Sequence, residues 1–236
     1  MQNPLPFFYP SLLALLLAFQ TITSPAQEPV RRKAAISMAD DYASFRWKPS
    51  LQNAFHGLDT DGVRVNTPDL AFANPEGRPG WWVPDQTNVG VPYMWGGFSS
   101  LKEFKEGIKN GHYAGDVYTG EKRRLLERAV SQYAVGIDCS GLISRCWGLE
   151  RSYSTRELPG LCLPLESYED LQPGDILNSH NNHVLLFKEF ADKEHKRLIA
   201  YEAGSPPTWK VLLDSISIPM LKAYGYKPWR YKKIVD

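Results

Sequence analysis

The sequence predicts an α+β fold: a helix packed on a small antiparallel sheet. Two observations lead there. An apolar helical pattern covers residues 137–149, with Leu142, Ile143, Cys146 and Trp147 on one face. Strand-like runs then follow at residues 184–187, 197–202, 210–213 and 230–234, separated by turns rather than by helices.

Taken in order, the chain opens on a compact apolar run, Ser-Leu-Leu-Ala-Leu-Leu-Leu-Ala-Phe, from Ser11 to Phe19, followed by Ser24-Pro25-Ala26. That pattern reads as an export signal over residues 1–26, cleaved after Ala26, although the first ten residues hold no Lys or Arg. The run is shorter than the ~20 apolar residues of a membrane span. No Cys follows it to take a lipid. A secreted or periplasmic protein without a stable membrane anchor is expected. Residues 27–33, with Arg31-Arg32-Lys33, read as a solvated junction, and residues 34–45 as a helix. Residues 51–92 are rich in Gly, Pro, Asn and Asp and read as irregular covering structure. Residues 27–90 thus form an N-terminal extension with no role assigned by the sequence. Two helices are expected at residues 100–111 and 121–134, the second with Leu125, Leu126, Ala129, Val130 and Tyr133 inward and Lys and Arg opposite. Residues 171–177 read as a turn entering a strand, with Asp175 bonding the turn, and residues 191–195 as a polar hairpin turn.

Composition narrows the function classes. The length of 236 residues suits one large domain or two small ones. A hydrophobic share of 43% with 22% charged residues excludes disorder, collagen and coiled coil for the whole chain. Lys+Arg 27 against Asp+Glu 26 leaves no bulk positive field, so nucleic acid is not an expected partner. The three cysteines are an odd number. At most one pair can bridge, and in an exported chain Cys146 and Cys162 have a spacing that permits it. Trp81, Trp82 and Trp209 suit sugar stacking or core packing. The basic and aromatic residues 227–233 suit an anionic polymer or plain alternation along an edge strand.

The chemistry concentrates at Gly136-Ile137-Asp138-Cys139-Ser140-Gly141-Leu142. A thiol at a helix N-terminus meets unpaired N–H groups and the positive end of the dipole, which favour its thiolate. Those N–H groups can also hold an oxyanion, and small Ser140 and Gly141 leave room for a carbonyl. The alternative is that Asp138 is only an N-cap and Cys139 a small buried residue. A nucleophilic thiol needs a base. Of the five histidines, His183 opens the apolar strand His-Val-Leu-Leu-Phe, where a ring is held rigidly, whereas His195 sits in a charged turn. His180 and His183 without a third ligand make a weak zinc pair, so no metal site is expected. A hairpin turn centred between Asp192 and Lys193 places Glu202 opposite His183, where a carboxylate can orient an imidazole. A slip of one residue turns Glu202 to the other face.

These residues resemble the NlpC-type cell-wall cysteine peptidases. Three blocks carry the resemblance, in order. They are Pro92-Tyr93-Met94-Trp95-Gly96-Gly97, the Cys139 block, and Leu171-Gln172-Pro173-Gly174-Asp175-Ile176-Leu177 followed by His183-Val184. The resemblance implies a papain-like domain over residues 91–236, with the Cys-bearing helix on a small antiparallel sheet or barrel. It implies Cys139 as nucleophile and His183 as base. It places Tyr93 in the site beside Asp138 and Ser140, and it implies no metal or organic cofactor. The substrate class it implies is peptidoglycan stem peptides, or another peptide. The chain departs from the family in carrying Glu202 where a His, Asn or Gln is usual. It also carries a helical insertion at about residues 99–135 between the Tyr and Cys blocks. Two alternatives remain open: an acyltransferase on the same fold, and a non-catalytic binding module that keeps the groove.

Overall fold

A computed structural model describes residues 28–72, 79–204 and 208–236. The export signal expected over residues 1–26 lies outside the described residues. Among the described residues, no helix is long and apolar enough to cross a membrane.

The fold is α+β. Val30–Arg31 (β1) pairs in parallel with the last strand, and helix Arg32–Ser44 (α1) starts at once. The basic junction is therefore not simply solvated. Arg32 donates to the fully buried carboxylate of Asp175 at 3.0 Å and to the carbonyl of Pro173. Short strands follow at Arg46–Trp47 (β2), His56–Leu58 (β3), Arg64–Asn66 (β4) and Asn88–Val89 (β5). Helix Leu101–Lys109 (α2) begins with a capping box in which Ser100 and Glu103 each bond the other's backbone N–H.

The second expected insertion helix is shorter than its pattern. After Tyr113–Ala114 (β6), helix Gly120–Leu125 (α3) stops where Leu126 turns to φ 53°, and a 3₁₀ turn over Leu126–Ala129 follows. The expected facing is partly reversed. Lys122 is buried, with Nζ donating to Asp116 at 2.5 Å and to the carbonyls of Arg64 and Ala129, whereas Leu125 is exposed. A buried carboxylate at Asp116 needs a partner charge, and that requirement overrides the apolar stripe.

Strand Ala134–Val135 (β7) leads into helix Cys139–Cys146 (α4). The remaining strands are Cys162–Pro164 (β8), Ile176–Ser179 (β9), His183–Phe190 (β10), Arg197–Ala203 (β11) and Val211–Ser217 (β12). Helix Ile218–Ala223 (α5) and strands Lys227–Tyr231 (β13) and Ile234–Val235 (β14) complete the chain. The main sheet is antiparallel in the order β12-β11-β10-β9-β13-β8. The basic and aromatic residues of β13 therefore lie on an inner strand, not an edge: β13 pairs with β9 on one side and β8 on the other. Pro228 fits there because its carbonyl still accepts from Leu165 N–H.

Strand alternation splits the core. Val184, Leu186, Tyr201 and Ala203 pack with Leu142, Ile143 and Cys146 of α4 and with Ala35, Ala39 and Tyr42 of α1. Leu185, Phe187, Leu198 and Ala200 pack on the other face with Ile218 and Leu221 of α5. Trp47 and Trp82, from the N-terminal extension, belong to the same core as α4. Trp81 donates its indole N–H to the carbonyl of Trp209, and Trp82 and Trp209 are buried, so these three indoles pack rather than present a sugar platform. Cys139, Cys146 and Cys162 are all free and buried thiols. Burial pushes the Cys162 thiol up to about 12 and that of Cys146 higher still.

Candidate active site

The start of α4 is built by two backbone segments lying one on the other. Asp138 is the N-cap: its Oδ1 accepts from Gly141 N–H at 2.6 Å and from the Ser140 hydroxyl at 2.9 Å. Cys139 is the first helical residue, so its N–H has no intrahelical acceptor. The 92–98 segment crosses this helix start. Met94 N–H donates to the Ile137 carbonyl, Ile137 N–H to Pro92, and Asp138 N–H to Gly97. The Gly97 carbonyl would lie 2.2 Å from any Cβ at position 141, so only glycine lets the two segments meet. The paired glycine motifs legible in the sequence are the two surfaces of one contact. That contact fixes where the thiol stands.

His183 opens β10, with Ser179 directly opposite on β9. Its ring hydrogen-bonds Cys139. Its Nε2 lies 3.3 Å from Glu202 Oε2. The three expected residues are therefore brought together, with the imidazole between the sulfur and the carboxylate. The hairpin that joins them differs from the expected one. Ala191 N–H donates to Arg197, and Asp192 caps Lys196 and Arg197, so the turn is centred on Glu194. Near the turn, Phe190 faces Leu198 and Glu189 faces Ile199. Continued unchanged, that register would set Glu202 opposite Leu186, on the face away from His183. A β-bulge at Lys188 shifts it, so Phe187 faces Ala200 and Leu186 faces Tyr201. Glu202 then follows opposite Leu185, on the face of His183, displaced one pair from the directly facing position expected.

Electrostatics follow from this geometry. Burial opposes the imidazolium of His183. The charge and hydrogen bond of Cys139, with those of Glu202, more than offset it and carry the imidazole up to about 10. Burial raises Asp138, while the N–H groups of Gly141 and Ser140 and the Ser140 hydroxyl hold it down in part.

Tyr93 is buried beside the thiol. Burial, then the nearby charges of Asp138 and Cys139, hold its phenol well above the ordinary range, so it stays a neutral donor. Its ring is clamped by Trp209 at 5.6 Å and by Gly204, where a Cβ would come within 2.1 Å of the ring.

Comparison of the chain with protein-family models, curated proteins and solved structures returned no match.

Sequence reasoning missed Tyr226, whose ring stands edge-on to His183 at 6.4 Å between centroids. Burial, followed by the charges of Cys139 and Glu202, raises its phenol. Its only sequence signal is its place just before the last long strand. Also missed is the way the insertion reaches the site. Arg123 donates to the Asn181 carbonyl in the turn before His183, Trp95 donates to the Leu126 carbonyl, and Tyr118 packs on Trp95. His195, expected to be solvated, stacks on Phe190 and pairs with Glu169.

Proposed function

We propose that this protein is a secreted or periplasmic papain-like cysteine hydrolase of the NlpC type that cleaves amide bonds in peptidoglycan stem peptides. The observation that carries this reading is one imidazole shared by a helix-start thiol and a buried carboxylate. The Cys139 sulfur, as thiolate, attacks the carbonyl carbon. The oxygen becomes an oxyanion facing the N–H groups at the start of α4 and the neutral phenol of Tyr93. As the C–N bond breaks, the His183 imidazolium gives its proton to the leaving amine and a thioester remains. Water then attacks the thioester, neutral His183 takes its proton, and the carboxylic product leaves as the thiolate is restored. Glu202 holds the ring and stabilises its charged form.

The test is digestion of purified muropeptides by the protein and by Cys139→Ala, read by mass spectrometry. Complete loss of new products in the variant is expected. Equal digestion removes Cys139 from the mechanism. Products heavier by the mass of an added amine would replace hydrolysis by acyl transfer. A Cys139 inert to iodoacetamide near neutral pH, with no digestion, would replace it by a non-catalytic groove.

A further inference from the structure

Away from Cys139, a cavity of about 540 Å³ opens between β2 and α2. That volume lies within the range of small-molecule sites, roughly 300–1,000 Å³. Four cations line it: Arg46 and Lys48 flank Trp47 on one wall, and Lys105 and Lys109 stand one turn apart on α2. No carboxylate is among the lining residues. None of the four cations makes an ion pair among the described residues. The chain as a whole carries only +1, so this concentration is local. Like charges at i and i+4 destabilise a helix slightly, and among the described residues no carboxylate comes within ion-pair distance of either lysine.

The floor is apolar and rigid. Trp47 is held by its indole N–H on the Gly90 carbonyl at 2.8 Å and packs edge-on to Phe104. Phe45 packs on the same Phe104 ring, and Ile108 lies between the two lysines. Asn53 ties the walls together: its Oδ1 accepts from Ser50 N–H, and its Nδ2 donates to the carbonyls of Ile108 and His112. A fixed bowl ringed by unpaired cations is prepared for a ligand with several anionic oxygens.

We propose that this cavity binds a multiply charged phosphate compound, the cations holding the phosphates and the Phe45–Trp47–Ile108 floor taking the group that carries them. Phosphate is favoured over carboxylate because three of the four cations are lysines. Lysines serve phosphate as point charges, and each phosphate brings up to about two negative charges and three strong acceptor oxygens where a carboxylate brings one charge and two oxygens. The cavity and the catalytic group share no residue, so this inference stands apart from the hydrolase reading.

The test uses the full chain and tripolyphosphate as probe, titrated by calorimetry and by Trp fluorescence, with citrate as the carboxylate control. Saturable binding with Kd below about 1 mM is expected, weakened about tenfold or more in the double variant Lys105→Gln/Lys109→Gln. Both lysines are exposed, so the variant should retain the circular dichroism and muropeptide digestion of the parent. Absence of saturable binding, equal affinity in the double variant, or citrate binding as tightly as tripolyphosphate would each overturn the assignment.

Discussion

Replacing Glu202 by Gln tests whether the carboxylate sets the charge of the His183 imidazole. Glu202 Oε2 lies 3.3 Å from His183 Nε2, and both side chains are almost buried, at 6% and 15% exposure. At that separation and an effective dielectric of 20, the bare attraction is about 5 kcal/mol. Glutamine keeps a hydrogen-bonding carbonyl and burial persists, so only part of this is lost. A single neighbouring charge commonly moves a titration by about 1–3 pH units. The alkaline limb of kcat/KM, where the imidazolium loses its proton, is expected near pH 10 in the parent. In Glu202→Gln it should fall by about 1–2 pH units, or about 2 kcal/mol. The sign is fixed because Glu202 raises His183, so its removal must lower it. Stability carries the same signature. A histidine raised from 6.5 to about 10 contributes stability that is complete below 6.5 and lost as pH rises through about 10. Between those values the unfolding free energy of the parent should drop more steeply than that of the variant. The assay is a pH–rate profile on a muropeptide, with urea titrations at pH 7 and pH 10. An alkaline limb that stays in place, in a variant with normal kcat, would refute the role given to Glu202.

Three further outcomes follow from the geometry. Deleting Lys188 takes out the residue the bulge absorbs and leaves Phe187 opposite Ala200 and Leu186 opposite Tyr201, so Glu202 should stay on the face of His183 and iodoacetamide alkylation of Cys139 should keep the parent rate, with the parent circular dichroism; slowed alkylation in a folded variant would contradict the register argument. Gly204→Ala places a methyl group in the Tyr93 ring at a residue with φ +87°, so turnover should fall at least tenfold and stability by about 1–2 kcal/mol, read by digestion and thermal unfolding. Asp175→Ala leaves Arg32 and Arg230 facing a site that held a fully buried carboxylate, and should reduce stability in urea by about 3 kcal/mol without changing Cys139 alkylation.

The helix-start thiol was legible because its signals are local: an N-cap, a small-residue pair and an apolar helical period within one stretch, residues 136–149. His183 was legible because it begins a strand whose pattern is unambiguous. Glu202 was found on the right face by a turn assignment whose centre was displaced. The bulge at Lys188 restored the alternation, and nothing in the composition of that stretch marks it. Long-range charge pairing stayed out of reach. Arg32 reads as part of a solvated basic run and Lys122 as part of a polar helix face, yet each meets a buried carboxylate that only the tertiary fold supplies. The inner position of β13 was likewise hidden, since strand order depends on which segments return beside β9 and not on the strand's own alternation.

The insertion leaves the scaffold of the candidate site just after Phe98 and rejoins it just before Ile137, and those two residues bridge each other directly. Its two attachment points are thus nearest neighbours, and Asp116 sews its middle to the same segment, donating to the Tyr93 carbonyl and accepting from Trp95 N–H. Changes in length or composition between them therefore act on the segment that carries Tyr93 as well as on the approach to the sulfur. Under the proposed hydrolase reading, selectivity and reactivity are coupled through this one seam.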